Sequence, residues 1–202
     1  SPSPSPSPTP ITGLHQWGAV TLFHGLPSDR VRAIAQTGDG AMWFGTEAGL
    51  AKFDGRRTQT INDPALPGGR VLALDTDEDG ALWVGTEDGA ARFSNGAFQK
   101  IKETSGQTVS AIVTPQKGMA VMTSEQGRVF ESRVKFVQST ENEETVTRTV
   151  LETRDLLNQP LESADRDRNG PLPITSLYWT NDHLFIGTQS RGLMEVQNGE
   201  AK

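Results

Sequence analysis

Two short acidic segments have the residue types and spacing of a calcium-binding loop. Residues 75–80 and 165–170 both fit the pattern Asp-x-Asp-x-Asp/Asn-Gly, whose side-chain oxygens suit a hard cation. The acidic residue that an EF-hand needs at position twelve is Thr86 in the first segment and Ser176 in the second. The first segment also fits a simple hairpin turn. Calcium is therefore the one cofactor considered, with Asp165, Asp167 and Asn169 as its candidate ligands.

Histidine, serine and cysteine residues do not form a recognisable catalytic set. His15, His24 and His183 share no regular spacing with acidic residues, and neither His-Glu-x-x-His nor Gly-x-Ser-x-Gly occurs. The sequence has no cysteine, which excludes thiolate zinc sites and cysteine nucleophiles. We therefore predict that the protein is not an enzyme.

Composition narrows the class of partner. The chain has 202 residues, is 34% hydrophobic and carries a formal net charge of −6, which allows a sizeable core. A negative net charge argues against nucleic acid or an anionic membrane surface as the main partner. No apolar run approaches the roughly 18 residues of a membrane span. We expect a protein partner or a small neutral ligand such as a carbohydrate.

One pattern occurs four times along the chain. Residues 39–50 read DGAMWFGTEAGL, and residues 79–90 read DGALWVGTEDGA. The glycine-threonine end of this pattern aligns at four threonines, and a second apolar segment with a small third residue precedes each of them. The aligned threonines are Thr46, Thr86, Thr123 and Thr188, and the preceding segments start at Val31, Val71, Val109 and Ile174.

Each copy is predicted to form a four-stranded blade of a β-propeller. Asp-Gly supplies the positive φ of a tight hairpin turn between the first and second strands. The second strand is almost continuously apolar, as expected for a sheet covered on both faces, so Trp43 and Trp83 should be buried between blades. The fold class is therefore all-β, a propeller with four blade repeats. Third strands are expected from Gly49, Gly89, Gly127 and Gly192, and fourth strands over 58–61, 97–101 and 135–138.

Residues 24–55 resemble the two-component regulator propeller repeat. That repeat has Gly-Leu-Pro-Ser before its first strand and then Asp-x-x-Gly-x-x-Trp-Phe-Gly-Thr-x-x-Gly-Leu, both of which occur here. The second copy is similar, the third lacks the tryptophan and glycine, and the fourth keeps Ile186-Gly187-Thr188 and Gly192-Leu193. The resemblance covers about residues 17–198 apart from an insertion. It implies a bacterial sensor domain, periplasmic or extracellular, that often binds sugars.

Charged residues in predicted loops form a candidate ligand site. In a propeller, the loops before each first strand and those between second and third strands emerge on one face around the axis. These loops carry alternating charges at a channel mouth, and salt bridges between blades are the alternative interpretation. The candidate ligand-binding residues are His24, Arg30, Glu47, Arg70, Glu87 and Arg191. In a lyase-type propeller, the remaining enzyme alternative, His24 would be the only catalytic candidate on this face.

Ring closure has two alternatives. Residues 16–23 are predicted to form a strand that belongs to none of the four repeats. The fourth repeat ends at the position where the fourth strand begins in the first two repeats. Residues 17–23 could pair with residues 193–196 and close a four-bladed ring. Otherwise the chain is part of a larger propeller, completed by another chain or by a further segment, which the family resemblance favours.

The remaining segments complete the domain layout. We expect residues 1–15 to form a Ser/Pro-rich extended tether to a membrane and residues 16–138 to hold the leading strand and three repeats. Residues 139–173 are an insertion, and residues 174–202 are the incomplete fourth repeat. The insertion is expected to be an extended hairpin or to end in a short helix over 150–157. An insertion of this length suggests protein binding, which makes a tethered interaction subunit the alternative function.

Overall fold

The described residues form an all-β structure. The computed structural model describes residues 21–141, 144–162, 170–197 and 200–202. Four antiparallel sheets of four strands each account for its regular structure, together with two short 3-10 turns at Leu22–His24 and Lys102–Thr104. Within the described ranges, no helix has the length and apolar character of a membrane span.

Each sheet is a meander of four consecutive strands, which is the topology of a propeller blade. Blade 1 contains β1 (Val31–Gln36), β2 (Met42–Thr46), β3 (Gly49–Phe53) and β4 (Thr58–Thr60). Blade 2 contains β5 (Val71–Thr76), β6 (Leu82–Thr86), β7 (Gly89–Ser94) and β8 (Ala97–Ile101). Blade 3 contains β9 (Val109–Gln116), β10 (Met119–Ser124), β11 (Val129–Glu141) and β12 (Glu144–Asp155). Blade 4 contains β13 (Ile174–Thr180), β14 (His183–Thr188), β15 (Leu193–Gln197) and β16 (Glu200–Ala201).

The hydrophobic core lies between neighbouring blades. The first strands contact one another in chain order, β1 with β5, β5 with β9 and β9 with β13. Between blades 1 and 2, the tryptophan of β2 packs with apolar side chains of β5 and β6. Equivalent clusters fill the spaces between blades 2 and 3 and between blades 3 and 4. The four-blade prediction is therefore confirmed, and each blade is stabilised by its neighbours.

Both repeat tryptophans are buried between blades, as predicted. Trp43 and Trp83 are fully buried. The indole Nε1 of Trp43 donates a hydrogen bond to Thr37 Oγ1 (2.9 Å), and that of Trp83 donates to Asp77 Oδ2 (3.0 Å). Each acceptor lies at the end of the first strand and each indole lies on the second strand, so the hydrogen bond joins the first two strands of the blade.

The third blade differs by one residue from the predicted alignment. In blades 1 and 2 the threonine of the motif pairs with the first residue of the first strand, Thr46 with Val31 and Thr86 with Val71. In blade 3 the residue opposite Val109 is Ser124 rather than Thr123. Thr123 therefore occupies the position of the motif glycine, and its buried hydroxyl has no hydrogen-bond partner within the described part of the chain.

The insertion contributes the outer strand of blade 3. The predicted fourth strand over 135–138 is instead the continuation of β11, which runs to Glu141. Its partner β12 pairs with it from Asp155 back to Glu144, so the hairpin alternative is correct and the short helix over 150–157 is wrong. Alternating β-branched and polar residues favour this long ribbon.

The ends of the array remain separate. Residues 22–24 of the predicted leading strand form a 3-10 turn, and residues 16–20 lie outside the described residues. β15 pairs with β16, so the outer edge of blade 4 is formed by the chain that follows it. Among the described strands, no packing comparable to β1 on β5 joins β13 to β1. The four blades thus form an arc.

Candidate functional site

The same backbone junction joins two loops at one end of every blade, and in blades 1 and 2 both residues of the junction are charged. The turn between the second and third strands donates an N–H to the residue that precedes the first strand. The four bonds are Glu47 to Arg30 (3.1 Å), Glu87 to Arg70 (3.1 Å), Glu125 to Thr108 (2.9 Å) and Gln189 to Pro173 (3.0 Å). Residues from these two loops therefore lie side by side around the axis, as the predicted site requires.

Four side chains at this end form a chain of alternating charges, here called the charged rim: Arg32, Glu47, Arg70 and Glu87. Glu47 pairs closely with Arg32 of its own blade and lies 3.8 Å from Arg70 Nε of the next blade. Arg70 Nε is 2.6 Å from Glu87 Oε1, and the backbone N–H of Arg70 donates to Glu87 Oε2 at 2.9 Å. The rim thus crosses the junction between blades 1 and 2.

The interaction between Arg70 and Glu87 shifts the pKa values of both side chains. The backbone N–H and then the guanidinium of Arg70 lower the pKa of Glu87 below its ordinary value. The hydrogen bond to Glu87 raises the pKa of Arg70, and the charges of Glu47 and Glu125 act in the same direction. Both side chains of the Arg70–Glu87 pair are more than a third exposed, so solvent screens these interactions and a ligand can reach them.

A glycine allows the close approach of Arg70 and Glu87. Gly69 has a φ of +87°, and a Cβ at this position would lie 2.7 Å from Glu87 Oε2. Only glycine adopts this backbone without strain and leaves room for the carboxylate. The Gly-Gly-Arg sequence before β5 is therefore part of the rim's construction.

The structure brings together three of the six predicted ligand residues, Glu47, Arg70 and Glu87. Arg30 joins them through its carbonyl oxygen. The ring of His24 bonds to the backbone N–H of Thr21 (3.2 Å) and its hydroxyl (3.1 Å), within its own turn. On blade 4, the backbone N–H of Arg191 donates to Thr188 Oγ1 at 3.0 Å.

Sequence reasoning missed Arg32 as a rim residue. Arg32 lies between Val31 and Ala33, where the pairing of β1 with β2 shifts register. The same irregularity recurs after Val71 and after Ile174. A bulge re-aims the side chain it contains. The only sign in the sequence that Arg32 belongs to the rim is that it directly follows the first apolar residue of β1. The side-chain alternation expected of a regular strand does not predict that position.

The predicted calcium ligands Asp165, Asp167 and Asn169 lie outside the described residues. In the other acidic segment the carboxylates have separate partners: Asp75 accepts from Thr114, Asp77 from Trp83 and the backbone, and Asp79 pairs with Lys117. No group of metal-ligating side chains occurs in the described ranges. The carboxylates of this segment therefore stabilise turns and contacts between strands.

Solved structures with a similar fold include several proteins of very different sequence. An auxiliary nutrient binding protein from Bacteroides ovatus ATCC 8483 has a TM-score of 0.55 at 9% identity, over 86% of this chain and 46% of that one. An ancestral GH74 enzyme has a TM-score of 0.53 at 14% identity, over 84% and 23%. These similarities show the fold alone.

A structure of the extracellular domain assigned to a hybrid two component system from B. thetaiotaomicron has 19% identity and a TM-score of 0.46, over 84% of this chain and 27% of that one. The present chain thus spans about a quarter of that protein's length. A comparison with curated protein sequences gives no match.

The repeat itself matches a family model. The model of the two component regulator propeller matches residues 25–48 and residues 65–88. Each match runs from the loop before the first strand of a blade to the turn after its second strand, which is the part that builds the junctions of blades 1 and 2. Residues 25–48 and 65–88 of this chain therefore match two component regulator propeller repeats, and the fold that carries them is a β-propeller.

Proposed function

We propose that this propeller is a non-catalytic recognition module, periplasmic or extracellular, that binds a small neutral ligand such as a carbohydrate at the charged rim. The observation that carries this proposal is the alternation of two guanidinium groups and two carboxylates across the junction of blades 1 and 2. The family of the repeats supports an extracytoplasmic location.

The chemistry of the charged rim favours a neutral polyhydroxylated ligand. Two positive and two negative side chains balance, so the rim attracts neither an anion nor a cation strongly. Each hydroxyl group of a sugar both donates and accepts hydrogen bonds. Carboxylates that accept and guanidinium groups that donate, held side by side, match neighbouring hydroxyl groups with charge-assisted hydrogen bonds.

A non-catalytic role is supported by the surroundings of the histidines. His24 bonds to Thr21 of its own turn, and His183 pairs with Glu195 on blade 4. Neither hydrogen-bonds to a side chain of the charged rim. Within the rim, Arg70 lowers the pKa of Glu87, which makes this carboxylate a poor general acid.

Calorimetric titration of the purified chain with a panel of gluco-, manno-, galacto- and xylo-oligosaccharides tests the proposal. We expect one class to bind, and we expect Arg70→Met and Glu47→Gln each to weaken its binding about tenfold or more, or about 1.4 kcal/mol. Lys117→Met is the matched control. Lys117 lies in the turn between β9 and β10 and pairs with Asp79 in the turn between β5 and β6, and both turns are at the end of the blades opposite to the charged rim.

Two outcomes would contradict the proposal. If no oligosaccharide binds the wild-type chain, the ligand class is wrong. If a sugar binds but Lys117→Met weakens it as much as Arg70→Met does, the charged rim is not the site.

A further inference from the structure

The interface between blades 3 and 4 lacks the aromatic cluster that fills the interface between blades 1 and 2. Between blades 1 and 2, the rings of Trp43, Phe93 and Phe98 contact one another, with centroids 4.7 to 6.3 Å apart. Strand pairing places three smaller residues at the equivalent positions between blades 3 and 4, namely Val121, Val196 and Ala201. This interface therefore has less side-chain volume to fill it.

The charge opposite the tryptophan position is also different in blade 3. In blades 1 and 2 a lysine or arginine of the third strand lies over the repeat tryptophan. In blade 3 the residue at this position is Glu131, which pairs with Val121 and is only 4% exposed. Its carboxylate accepts hydrogen bonds from Arg133 Nε (2.7 Å) and Arg154 Nε (3.1 Å). A buried carboxylate thus stands where the other two blades have a cation.

A cleft of about 460 Å³ opens beside Glu131, between blades 3 and 4. Blade 3 contributes Glu131 and Arg154 to its lining, and blade 4 contributes the apolar side chains of Trp179 and Val196. This volume is in the range of small-molecule sites, and the mixture of apolar surface with a few polar groups is typical of them. Because both walls belong to neighbouring blades of this chain, the cleft does not depend on how the ring is completed.

Trp179 is placed differently from the repeat tryptophans. It pairs with Leu184 as Thr76 pairs with Leu82, so an indole occupies a position that is a small polar residue in blade 2. Trp179 is half-buried against the core cluster of blades 3 and 4. The two repeat tryptophans each donate a hydrogen bond within their own blade, whereas the indole N–H of Trp179 has no hydrogen-bond partner among the described residues.

Three polar side chains of the cleft have unused hydrogen-bonding groups. Arg154 uses Nε and Nη2 for Glu131, which leaves the N–H groups of Nη1. Asn158 and Asp182 are exposed and line the cleft, and their side chains form no hydrogen bond within the described ranges. Donors and an acceptor are therefore available beside the indole.

The charges around the cleft balance. Three carboxylates line it, and three guanidinium groups pair with them or interact with them. The carboxylates are those of Glu131, Asp155 and Asp182, and the guanidinium groups are those of Arg128, Arg133 and Arg154. A neutral ligand suits such a site better than an ion does.

We propose that this cleft binds one pyranose unit of a neutral sugar. The C–H groups on one face of a pyranose carry a small positive charge, which suits the negative face of the Trp179 ring, and Val196 extends the apolar surface. Hydroxyl groups of the sugar donate to Asp182 and accept from Asn158 and from Nη1 of Arg154. The cleft shares the ligand class of the proposed function but not its site, since no side chain of the charged rim lines it.

Tryptophan emission tests this site during titration of the whole chain with the same oligosaccharides. Trp43 and Trp83 are fully buried, so Trp179 is the tryptophan of the described ranges that a ligand reaches. We expect one sugar to change the emission of the wild type, and we expect Trp179→Phe, which keeps an apolar ring in the core cluster, to remove that change.

Calorimetry of an amide variant measures the contribution of the polar groups. Asn158→Ala should weaken binding at the cleft about three- to tenfold, which corresponds to one lost hydrogen bond. Gln59→Ala is the matched control, because Gln59 is an exposed amide on β4 of blade 1, outside the cleft. Circular dichroism should show the wild-type fold for all three variants.

Four outcomes would overturn the cleft as a sugar site. One is an emission change that persists in Trp179→Phe, and another is an equal loss of affinity in Asn158→Ala and Gln59→Ala. A sugar that binds by calorimetry without changing the emission lies elsewhere, which removes the cleft and leaves the charged rim as the site. An emission change with tetramethylammonium and with no sugar would assign the cleft to an organic cation instead.

Discussion

The indole nitrogen of each repeat tryptophan has a polar partner, which explains how so large a residue is fully buried in a thin blade. Trp43 uses the hydroxyl of Thr37, and Trp83 uses the carboxylate of Asp77. Asp77 is also paired with Arg92, whose guanidinium lies over the Trp83 ring. Each indole therefore satisfies its polar atom within its own blade while its ring fills the interface with the next blade.

Truncation of Trp43 to alanine should reduce the free energy of unfolding by about 3–5 kcal/mol, because the indole fills the space between blades 1 and 2. Trp43→Phe keeps an aromatic ring and loses the hydrogen bond to Thr37, so it should cost clearly less. Urea denaturation of the two variants and the wild type measures the difference. A stability of Trp43→Ala close to that of the wild type would show that this side chain does not hold the blades together.

At the scale of strands, the motif glycine is required because the first strand of the next blade packs directly against it. Gly45 does not need a special φ, so its importance is steric. Alanine here would place its Cβ within 2.6 Å of Val71 Cγ1 and 3.3 Å of Val71 O. Blade 3 lacks this glycine and has Thr123 in its place.

Gly45→Ala is therefore expected to destabilise the protein by about 1–3 kcal/mol through overpacking. Gly68→Ala is the matched control, since no atom lies within 4 Å of a Cβ built there. Adding Val71→Ala to Gly45→Ala should recover part of the loss, which a double-mutant cycle in urea would measure. Equal costs for the two glycine substitutions would contradict the steric explanation.

At the scale of the whole molecule, carboxylates paired with arginine make stability depend on pH. Burial alone would raise the pKa of Glu131, but hydrogen bonds from Arg133 and Arg154 outweigh it and lower the pKa below its ordinary 4.5. Thr37 and then Lys52 lower the pKa of Asp39 to about 2. Because the folded state holds these groups ionised, their contribution is present above the unfolded pKa and is lost as pH falls through the folded pKa.

We expect the free energy of unfolding to fall as the pH is lowered below about 4.5, the ordinary pKa of glutamate. Glu131→Gln should be less stable than the wild type by about 1–3 kcal/mol at neutral pH, because two guanidinium groups lose their ionic partner and one of the two acceptor oxygens is replaced by an NH₂ group. The difference should shrink on acidification, since Glu131 of the wild type then becomes neutral as well. Urea titrations of both proteins from neutral to acid pH measure it, and parallel curves would contradict the assignment.

Local patterns determined most of the blade structure and the proximity of three of the six predicted ligand residues. Val31, Val71, Val109 and Ile174 begin the first strands where the repeat predicts them. Glu47, Arg70 and Glu87 meet because strand order alone decides which loops share an end of the blade. These features depend on alternation, turn residues and connectivity, which are written within about 40 residues of sequence.

Tertiary structure decided the features that depend on contacts between distant residues. Pairing with Val109 set the register of Ser124, and pairing with β11 turned residues 144–155 into an outer strand rather than a helix. The bulge at Arg32 brought a fourth charge to the rim. A repeat encodes the strands of its own blade, whereas these features depend on which distant strand pairs with it or packs against it.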